Sequence, residues 1–443
     1  MKIAELKNQI ISDSLGDKMY DLMQKLYPVT RSITGNGVRE TLKILSAINP
    51  IQIHEVPSGT KVFDWDIPPE WNIEDGWIKN SRGEKILDFK ESNLHILNYS
   101  IPVRKKVSLK DLKEHLFTLK EYPGWIPYRT SYHSPNWGFC MAYNQFKELE
   151  EEEYEVFVDS TLEPGYLTYG EYFIKGKTDN EVLISCHICH PSLADDNLSG
   201  IAVSSYLASL LRQRNLNYSY RFLFIPGTIG SITWLSRNED ITKRIKHGLV
   251  LTLLGDNEKF HYKRSRREDA EIDRIAEYVL EHSGEEYDIM DFYPYGYDER
   301  QYCSPGFNLP VGRLSRAVHG EFPQYHTSAD NLDFVYPDKL AGSLSLIMDI
   351  IHLIESNKIY INLNPKCEPQ LGKRGLFKKI GGQSETKDYQ MALLWVLNMS
   401  DGDHSLLDIA IKSKISFGMI KKAADSLIKT NLLKERLVKN ATG

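Results

Sequence analysis

Strands and helices alternate from about residue 155, and this alternation constrains the fold of the 443-residue chain more than any other feature. The apolar runs of strands occur in YEVFVDSTL, YGEYFIKGK, EVLISCHI, RFLFIP and GLVLTLLG. The apolar spacing of helices occurs in GIAVSSYLASLLRQR, EIDRIAEYVLEHSG and LAGSLSLIMDIIHLIESN. Strands interleaved with helices predict an α/β domain in which helices cover a mixed sheet.

The region from about residue 59 to 135 has a different texture, rich in Trp, Ile and Pro. Its short strands and turns predict a small β-rich domain inserted into the α/β domain, which would then comprise residues 1–58 and 136–370. Five of the seven tryptophans lie in or just after this region. They either fill the core of the inserted domain or form a face that stacks on a ligand or a carbohydrate.

The C-terminal residues 384–443 follow a Gly/Lys-rich link and contain three predicted helices and a terminal hairpin. This is the order of a winged helix-turn-helix. Nine Lys and Arg residues stand against seven Asp and Glu residues, which is less basic than is usual for DNA-reading modules. DNA binding is therefore not expected. A contact with protein is favoured, such as a homo-oligomer formed through the winged helix or the inserted domain.

The overall charge and the cysteine usage exclude several classes of protein. With 54 Lys and Arg residues and 60 Asp and Glu residues, the net charge of -6 gives no general attraction to nucleic acid or anionic lipid. Five cysteines, an odd number in a long chain, do not indicate a disulfide framework. No apolar run is long enough to span a membrane, and the N-terminus does not resemble a signal peptide. We therefore expect a cytoplasmic protein without membrane contact.

The most informative stretch is SCHICHPSLADDNLSGIAVSSYL, which begins at Ser185. Its C-x-x-C-H element matches the attachment signature of c-type haem, but that chemistry needs an exported protein. Cys186 and Cys189 could form half of a Cys₄ zinc site, yet the chain has no second C-x-x-C. On an apolar strand, both thiols are more simply small buried hydrophobes.

The histidines and carboxylates of this stretch indicate a metal site. His187 ends a predicted strand, where α/β sheets bind their ligands, and His190 follows it. Asp195, Asp196 and Asn197 stand directly before a long apolar helix. One of them would suffice as an N-cap, so two carboxylates downstream of two histidines exceed that need. Imidazole nitrogen and carboxylate oxygen are ligands of Zn²⁺.

A third segment, HGEFPQYHTSADNLDFV, starts at His319 and contains His326 in a loop before the closing helix. Alone, His326 would more simply be a satisfied loop residue. Together with His187 and Asp196 it becomes a third metal-ligand candidate.

These segments resemble the aminopeptidase-like family of zinc exopeptidases, which has a phosphorylase/hydrolase-like core. His187, Asp196 and His326 match the first, bridging and last zinc ligands of that family. The whole chain, over residues 16–440, also resembles a bacterial subfamily associated with polysaccharide-biosynthesis gene clusters. The matching strings are RSITGNG, VFDWDIPPEWNI, CHPSLADDNLSG, DERQYCSPGFNLPVG and GEFPQYHTSADNLDF.

The chain departs from the family pattern at three positions. Cys189 stands where the family has the Asp that orients the first zinc ligand. Gly227, in FIPGTIGS, stands where a catalytic Glu is expected. The carboxylate ligand expected after the next strand is offered a few residues late by Asp256, in GLVLTLLGD.

The resemblance implies a hydrolase that binds one or two Zn²⁺ ions and cleaves a peptide or amide bond, including sugar-linked amides, in a small substrate. With Gly227 in place of the Glu, the general base is expected from Glu299 or Glu321. An ordinary surface ion pair is the alternative for both glutamates.

Three further residues are candidates for substrate contacts. Arg300 could hold a substrate carboxylate, or it could form a structural ion pair. Tyr302 could donate to an oxyanion, or it could pack in a loop. His190 could be an additional ligand or a hydrogen-bond donor beside the metal.

A second hypothesis follows from Gly227. A chain that keeps the metal ligands but lacks the base could be a catalytically impaired, metal-binding regulatory protein that acts through its winged helix.

Overall fold

The fold is known from a computed structural model that describes residue 10 and residues 14–132, 134–376 and 384–436. The chain divides into two units, with the boundary between Asp349 and Ile350.

The strands of the first unit are β1 (Gln52–Pro57), β2 (Lys61–Val62), β3 (Trp65–Asp66), β4 (Glu70–Lys79), β5 (Lys85–Asp88), β6 (Val103–Ser108), β7 (Leu116–Phe117), β8 (Phe139–Cys140), β9 (Glu153–Glu163), β10 (Tyr166–Ile174), β11 (Glu181–His187), β12 (Ser219–Ile225), β13 (Ile245–Leu251), β14 (Phe260–Lys263), β15 (Tyr287–Met290) and β16 (Val311–Ser315).

The helices are α1 (Leu15–Leu26), α2 (Asn36–Ser46), α3 (Leu109–Lys113), α4 (Tyr143–Lys147), α5 (Gly200–Leu211), α6 (Ile229–Arg237), α7 (Glu239–Thr242), α8 (Glu271–Ser283), α9 (Glu299–Tyr302) and α10 (Pro337–Ser356), which crosses the boundary between the units. Short helical turns occur at Asn93–His95, Ala194–Ser199 and Leu332–Phe334.

An eight-stranded mixed sheet forms the centre of the first unit, in the order β1-β10-β12-β11-β13-β16-β14-β15. The inner strands β12, β11, β13 and β16 are parallel, whereas β10 is antiparallel to both of its neighbours and β14 is antiparallel to β16. Every residue of β11 and β12 is buried. Such continuous burial is typical of parallel strands that are covered on both faces.

The helices around the sheet follow the apolar spacing of their sequences. In α8 the buried side chains include Ile272, Ile275, Ala276 and Val279, at the three- and four-residue spacing of one helix face. By contrast, α5 is buried at nearly every position. It therefore lies inside the unit, directly after the turn that carries Asp196.

The parallel strands end at one edge of the sheet, and the candidate residues lie in the loops at that edge. β11 ends at His187, and the loop after it carries His190. β12 ends two residues before Gly227, and the chain after β16 leads to His326. This edge is where α/β sheets bind their ligands.

The inserted β-rich region forms its own antiparallel sheet, in the order β5-β4-β9-β6. None of the described strands between residues 59 and 135 joins the eight-stranded sheet. The expected boundary at residue 135 is nevertheless too early, because β9 (Glu153–Glu163) lies between β4 and β6. Because β9 is hydrogen-bonded to both β4 and β6, it belongs to the inserted sheet, although it is distant from these strands in sequence.

The tryptophans of this region mainly fill its interior. Trp71, Trp77 and Trp137 are buried. Trp71 also donates its indole N–H to the carbonyl oxygen of Ser100 at 2.8 Å. Trp65 differs, since it lies at the tip of the β2–β3 hairpin and is 47% exposed. Most of these rings therefore stabilise the core, whereas Trp65 is partly exposed to solvent.

The second unit contains the helices α11 (Ser384–Met399), α12 (Leu406–Ser413) and α13 (Phe417–Lys429) and a three-stranded sheet of β17 (Ile359–Asn362), β18 (Asp401–Ser405) and β19 (Leu433–Glu435). A capping box of Ser405 and Asp408 starts α12. The expected start of this domain at residue 384 is too late, because β17 is the central strand of its sheet.

The composition bears on disulfide bonds and on membrane-spanning helices. The five cysteines are all free thiols. None of the helices in the described part of the chain combines the length and the apolar character that a membrane crossing requires.

Candidate metal centre

His187 and Asp196 form the middle of a buried cluster. His187 is the last residue of β11, and Asp196 lies in the turn Ala194–Ser199 that leads into α5. The Nε2 of His187 lies 2.9 Å from the Oδ1 of Asp196, and both side chains are completely buried. Asn197 supports the turn, because its Nδ2 donates to the carbonyl oxygens of His187 and Leu251. The turn thereby holds Asp196 opposite the end of β11.

Two further histidines face the other oxygen of Asp196. The Nε2 of His326 and the Nδ1 of His190 lie 3.0 Å and 3.2 Å from the Oδ2 of Asp196. The Nδ1 of His190 also lies 2.9 Å from the carbonyl oxygen of Asp196. Because a carbonyl oxygen only accepts, this nitrogen carries the proton and donates. The Nε2 of His190 is then the nitrogen that can face a metal ion or a substrate.

The donor set fits a divalent metal ion. The Oδ2 of Asp196 and the Nε2 of His326 are buried without a hydrogen-bond partner, although they lie only 3.0 Å apart. Zinc binds such atoms at about 2.0–2.2 Å, so ligand atoms on one ion are separated by roughly 3 Å. His187, His190 and Asp196 each offer one ligand atom within 4.8 Å of the others. The spacing and the orphaned atoms are those of ligands that share an ion.

The protonation states of the cluster suit metal binding. Burial lowers the pKa of His187 to about 4 and also lowers the pKa of His326. Both imidazoles are therefore neutral at pH 7, which is the form that ligates metals. Burial opposes the charge of Asp196, but His190, His187 and His326 together hold the pKa of that carboxyl well below its usual value. The cluster thus offers one carboxylate and the neutral imidazoles of His187 and His326. For His190, burial favours the neutral form, but the charge of Asp196 outweighs burial and raises the pKa of His190 well above its usual value.

Tyrosine rings surround the cluster, and the sequence did not identify them. The Tyr297 hydroxyl donates to the Oδ1 of Asp196 at 2.5 Å, and its ring stacks on His187 with centroids 4.0 Å apart. Tyr128 packs edge-on against His326. Tyr325 stacks on His326 with centroids 3.9 Å apart. Only Tyr325 has a sequence signal, because it directly precedes His326. These three tyrosines pack against the histidines and Asp196 and thereby hold the ligand side chains in place.

Asp330 organises the loop that carries Asp196. Its two carboxyl oxygens accept the backbone N–H groups of Asp195 at 2.6 Å and of Asp196 at 3.0 Å. Burial raises the pKa of Asp330 to about 7. In the sequence, Asp330 is only one residue of the loop segment that contains His326. The structure shows that it links the segment after β16 to the segment after β11.

The structure does not bring Asp256 to the cluster. Its carboxyl group accepts the backbone N–H groups of Glu258 at 2.6 Å and of Ala317 at 3.1 Å. It also interacts with the buried carboxyl group of Asp195 rather than with Asp196. The expectation that Asp256 is a ligand is therefore corrected, because its oxygens already have backbone partners.

Two residues of α9 also have partners away from the cluster. Glu299 is completely buried and pairs with Lys263 at 2.9 Å and with Arg313 at 3.8 Å. The hydroxyl of Tyr302 is hydrogen-bonded to the Oγ of Ser185 at 2.9 Å. A buried charge requires such pairing. This geometry does not support Glu299 as a base or Tyr302 as an oxyanion donor.

Two predicted residues lie at the surface or at the mouth of the site. Glu321 is an exposed loop residue outside the lining of the cavity beside the cluster. Arg300 lines that cavity, together with His190 and His326. Of the predicted substrate and base residues, the structure therefore brings His190 and Arg300 to the site.

Gly227 forms part of the cavity wall beside His187. A Cβ atom on Gly227 would lie 3.2 Å from the Cβ of His187 and 3.6 Å from the Oδ2 of Asp298. That oxygen is buried and has no hydrogen-bond partner, while the Oδ1 of Asp298 accepts from Ser231 at 2.7 Å. Burial raises the pKa of Asp298 to about 7. The carboxyl group near position 227 is thus that of Asp298, which the sequence did not suggest.

Family models match both parts of the chain. The model described as a domain of unknown function, DUF4910, matches residues 20–357. A winged helix-turn-helix model matches residues 358–435. The second match agrees with the position of β17 at the start of the C-terminal sheet. The predicted winged helix is therefore confirmed.

Similar proteins are known from Clostridium acetobutylicum. One, provisionally named a polysaccharide biosynthesis protein with aminopeptidase-like domain, is 54% identical over 423 residues, which is 96% of this chain and 97% of the relative. A crystal structure of a protein from the same organism, provisionally named a peptidase, has a TM-score of 0.92 and 52% identity, covering 98% of this chain and 100% of that chain.

Two more distant structures share the fold. The zinc aminopeptidase of Bacillus subtilis has a TM-score of 0.55 at 12% identity, covering 76% of this chain and 95% of that chain. A peptidase M28 precursor from Shewanella amazonensis has a TM-score of 0.57 at 14% identity, covering 80% of this chain and 96% of that chain. The predicted aminopeptidase-like α/β fold is confirmed.

Proposed function

The chain belongs to the family described as a domain of unknown function, DUF4910, and we propose that it is a zinc-dependent hydrolase of a peptide or amide bond. The observation that carries the proposal is the arrangement of His187, His190 and His326 around Asp196. The M28-peptidase fold and the aminopeptidase-like name of the Clostridium relative support a peptidase-like hydrolase.

His187, Asp196 and His326 are the proposed ligands, since the Nε2 of His187 faces the Oδ1 of Asp196 and the Nε2 of His326 faces its Oδ2. Zinc in such a site supplies a Lewis acid that polarises a carbonyl group and makes water acidic near neutral pH. His190 lies beside these ligands, with its Nδ1 held by the Asp196 carbonyl oxygen. It can present its Nε2 to the substrate or complete the ligand set.

The tyrosine hydroxyl of Tyr297 fixes the orientation of Asp196, because it donates to Oδ1 and leaves Oδ2 for the ion. Hydrogen-bonded partners of this kind orient ligands and tune metal sites. Tyr297 therefore acts as a positioning residue.

Asp298 is the proposed proton acceptor. Its free Oδ2 is buried next to the cavity-lining Gly227, 3.6 Å from the position that a Cβ atom on Gly227 would take. A general base works best when its pKa is near the working pH, and burial brings the pKa of Asp298 to about 7. Glu299 cannot take this role while it pairs with Lys263.

Gly227 also favours a second function. A chain without the expected Glu could retain the metal but hydrolyse amides poorly, and it would then act as a regulatory protein through its winged helix. Asp298 is completely buried. The hydrolase requires that this carboxyl group can reach the substrate or its attacking water, whereas the regulatory protein does not.

Hydrolysis by the zinc-loaded protein tests the proposal. The substrate panel contains aminoacyl amides, N-acyl amino acids and N-acetylated amino sugars, and release of the amine or acid is measured. We expect zinc-dependent turnover that His187→Ala abolishes. His404→Ala, which changes an exposed histidine of the winged helix, should leave turnover unchanged. A zinc-loaded protein that is inert on the whole panel would contradict the hydrolase and favour the regulatory function.

A further inference from the structure

A cavity of about 410 Å³ opens beside the metal centre. Its wall combines aromatic, aliphatic and polar side chains. The lining includes Ile33, Trp65, His190, Ile229, Ile232 and Arg300. Among all the described lining residues there is one arginine and no aspartate or glutamate. The permanent charge at the cavity wall is therefore positive.

Arg300 brings that charge without a partner. It is the second residue of α9, and its Nε is buried without a hydrogen bond. Within the described ranges it forms no ion pair with a carboxylate and no side-chain hydrogen bond. An arginine remains charged at all physiological pH values, and a buried N–H group without a hydrogen-bond partner is costly. Such a residue at a cavity wall is suited to an anionic ligand.

The nearest acidic residues of the same segment form no ion pair with Arg300, although the charge of Arg300 acts on Asp298 and partly opposes the rise of its pKa. Glu299 is directed to Lys263 and Arg313. Asp298 accepts from Ser231, and burial keeps its pKa near 7, so it is only partly ionised at neutral pH. Neither carboxyl group lines the cavity. The cavity wall therefore offers no carboxylate that could bind the ammonium group of a ligand.

We propose that the substrate is an N-acyl amino acid, whose free carboxylate binds Arg300 while its amide carbonyl faces the metal centre. This inference rests on the proposed hydrolase function and specifies its substrate class. The planar guanidinium group matches a carboxylate through paired hydrogen bonds. An N-acyl amino acid carries both required groups, an amide bond and a nearby carboxylate.

The remaining wall fits the apolar part of such a substrate. Ile33, Ile229 and Ile232 form an aliphatic surface in the same cavity as Arg300. Trp65, at the tip of the β2–β3 hairpin, adds an aromatic ring from the inserted region. Sites of this kind bind the apolar body of a ligand and fix its orientation through a few polar groups. The side chain of the amino acid is therefore expected to be apolar.

Binding of three matched probes to the zinc-loaded full chain tests the substrate class. The probes are N-acetyl-L-phenylalanine, its carboxamide, and L-phenylalaninamide, which has a free amine. Titration calorimetry should show the carboxylate probe binding about tenfold or more tightly than either amide, as expected for a charge-assisted contact. Arg300→Gln should remove this preference and Arg300→Lys should retain part of it. Arg104→Gln, at an exposed position of β6, should leave it unchanged.

The outcomes separate this inference from the proposed hydrolase. Equal binding of the three probes, or a carboxylate preference that survives Arg300→Gln, would overturn the carboxylate site. Hydrolysis of L-phenylalaninamide without any carboxylate preference would keep the hydrolase and refute the inference. A carboxylate preference that depends on Arg300, in a protein that cleaves none of the probes, would support the carboxylate site and count against the hydrolase.

Discussion

Replacing Tyr297 by Phe removes one hydroxyl group and keeps the ring that stacks on His187. In the wild-type protein this hydroxyl donates to the buried Oδ1 of Asp196 at 2.5 Å. A hydrogen bond to a charged group contributes about 1.5–3 kcal/mol, so the free energy of unfolding of the zinc-free protein should fall by about that amount. Without the donor, Asp196 is less firmly oriented as a ligand. Loss of such a partner typically weakens metal binding by about 10- to 100-fold.

Tyr302→Phe is the matched control for this variant. Its hydroxyl is equally buried, but it bonds to the neutral hydroxyl of Ser185. We expect a loss of about 0.5–1.5 kcal/mol in stability and no change in zinc affinity. Zinc affinity is measured by competition with a chromophoric chelator, and stability by urea unfolding of the metal-free proteins. If Tyr297→Phe binds zinc as tightly as the wild type, or if Tyr302→Phe weakens zinc equally, Tyr297 does not position the ligand.

Three further variants test other parts of the site. Gly227→Glu should raise amide turnover by about 10²–10⁴-fold over Gly227→Gln, the usual contribution of a general base; equal rates for the two variants would show that a carboxylate at this position does not act as a base. Asp256→Asn should leave the zinc content unchanged by elemental analysis, because the Asp256 carboxyl binds backbone N–H groups; loss of zinc would restore this residue to the ligand set. Burial lowers the pKa of His319 from 6.5 to about 4, so the stability linked to its neutral form is present above pH 6.5 and is lost as the pH falls toward 4. His319→Gln should therefore flatten the pH dependence of urea unfolding between about pH 6.5 and pH 4, and an unchanged slope would contradict this linkage.

The sequence was informative where function depends on local order along the chain. The apolar runs of β11 and β12 predicted buried strands, and the edge where β11 ends placed His187 at a ligand site. The turn before α5 was visible because Asp195, Asp196 and Asn197 precede a long apolar helix. These features involve residues within one strand-turn-helix segment.

Contacts between distant segments could not be predicted in this way. Tyr297 reaches Asp196 from about 100 positions away, and Asp330 binds the backbone of Asp195 across the site. Asp298 and Glu299 are adjacent in the chain, so the sequence alone gives no reason to prefer one of them as the general base. The packing of α9 decides between them by directing Glu299 to Lys263.

The boundaries of the inserted region also depend on pairing between strands that are distant in sequence. Its composition changes near residue 59, but the sheet takes β9 from beyond residue 150 as the partner of β4 and β6. The winged helix similarly takes β17 from before the Gly/Lys-rich link. Composition marks a change of texture, whereas the hydrogen-bonded register determines which strands belong together.

The measurement that tests the metal centre most directly is anomalous diffraction at the zinc absorption edge from crystals of the zinc-loaded protein. The account predicts a peak between the Nε2 of His187, the Oδ2 of Asp196 and the Nε2 of His326, which Asp196→Ala abolishes. A zinc-loaded crystal without a peak at this position, or with its strongest peak beside Asp195 and Asp256, would contradict the account.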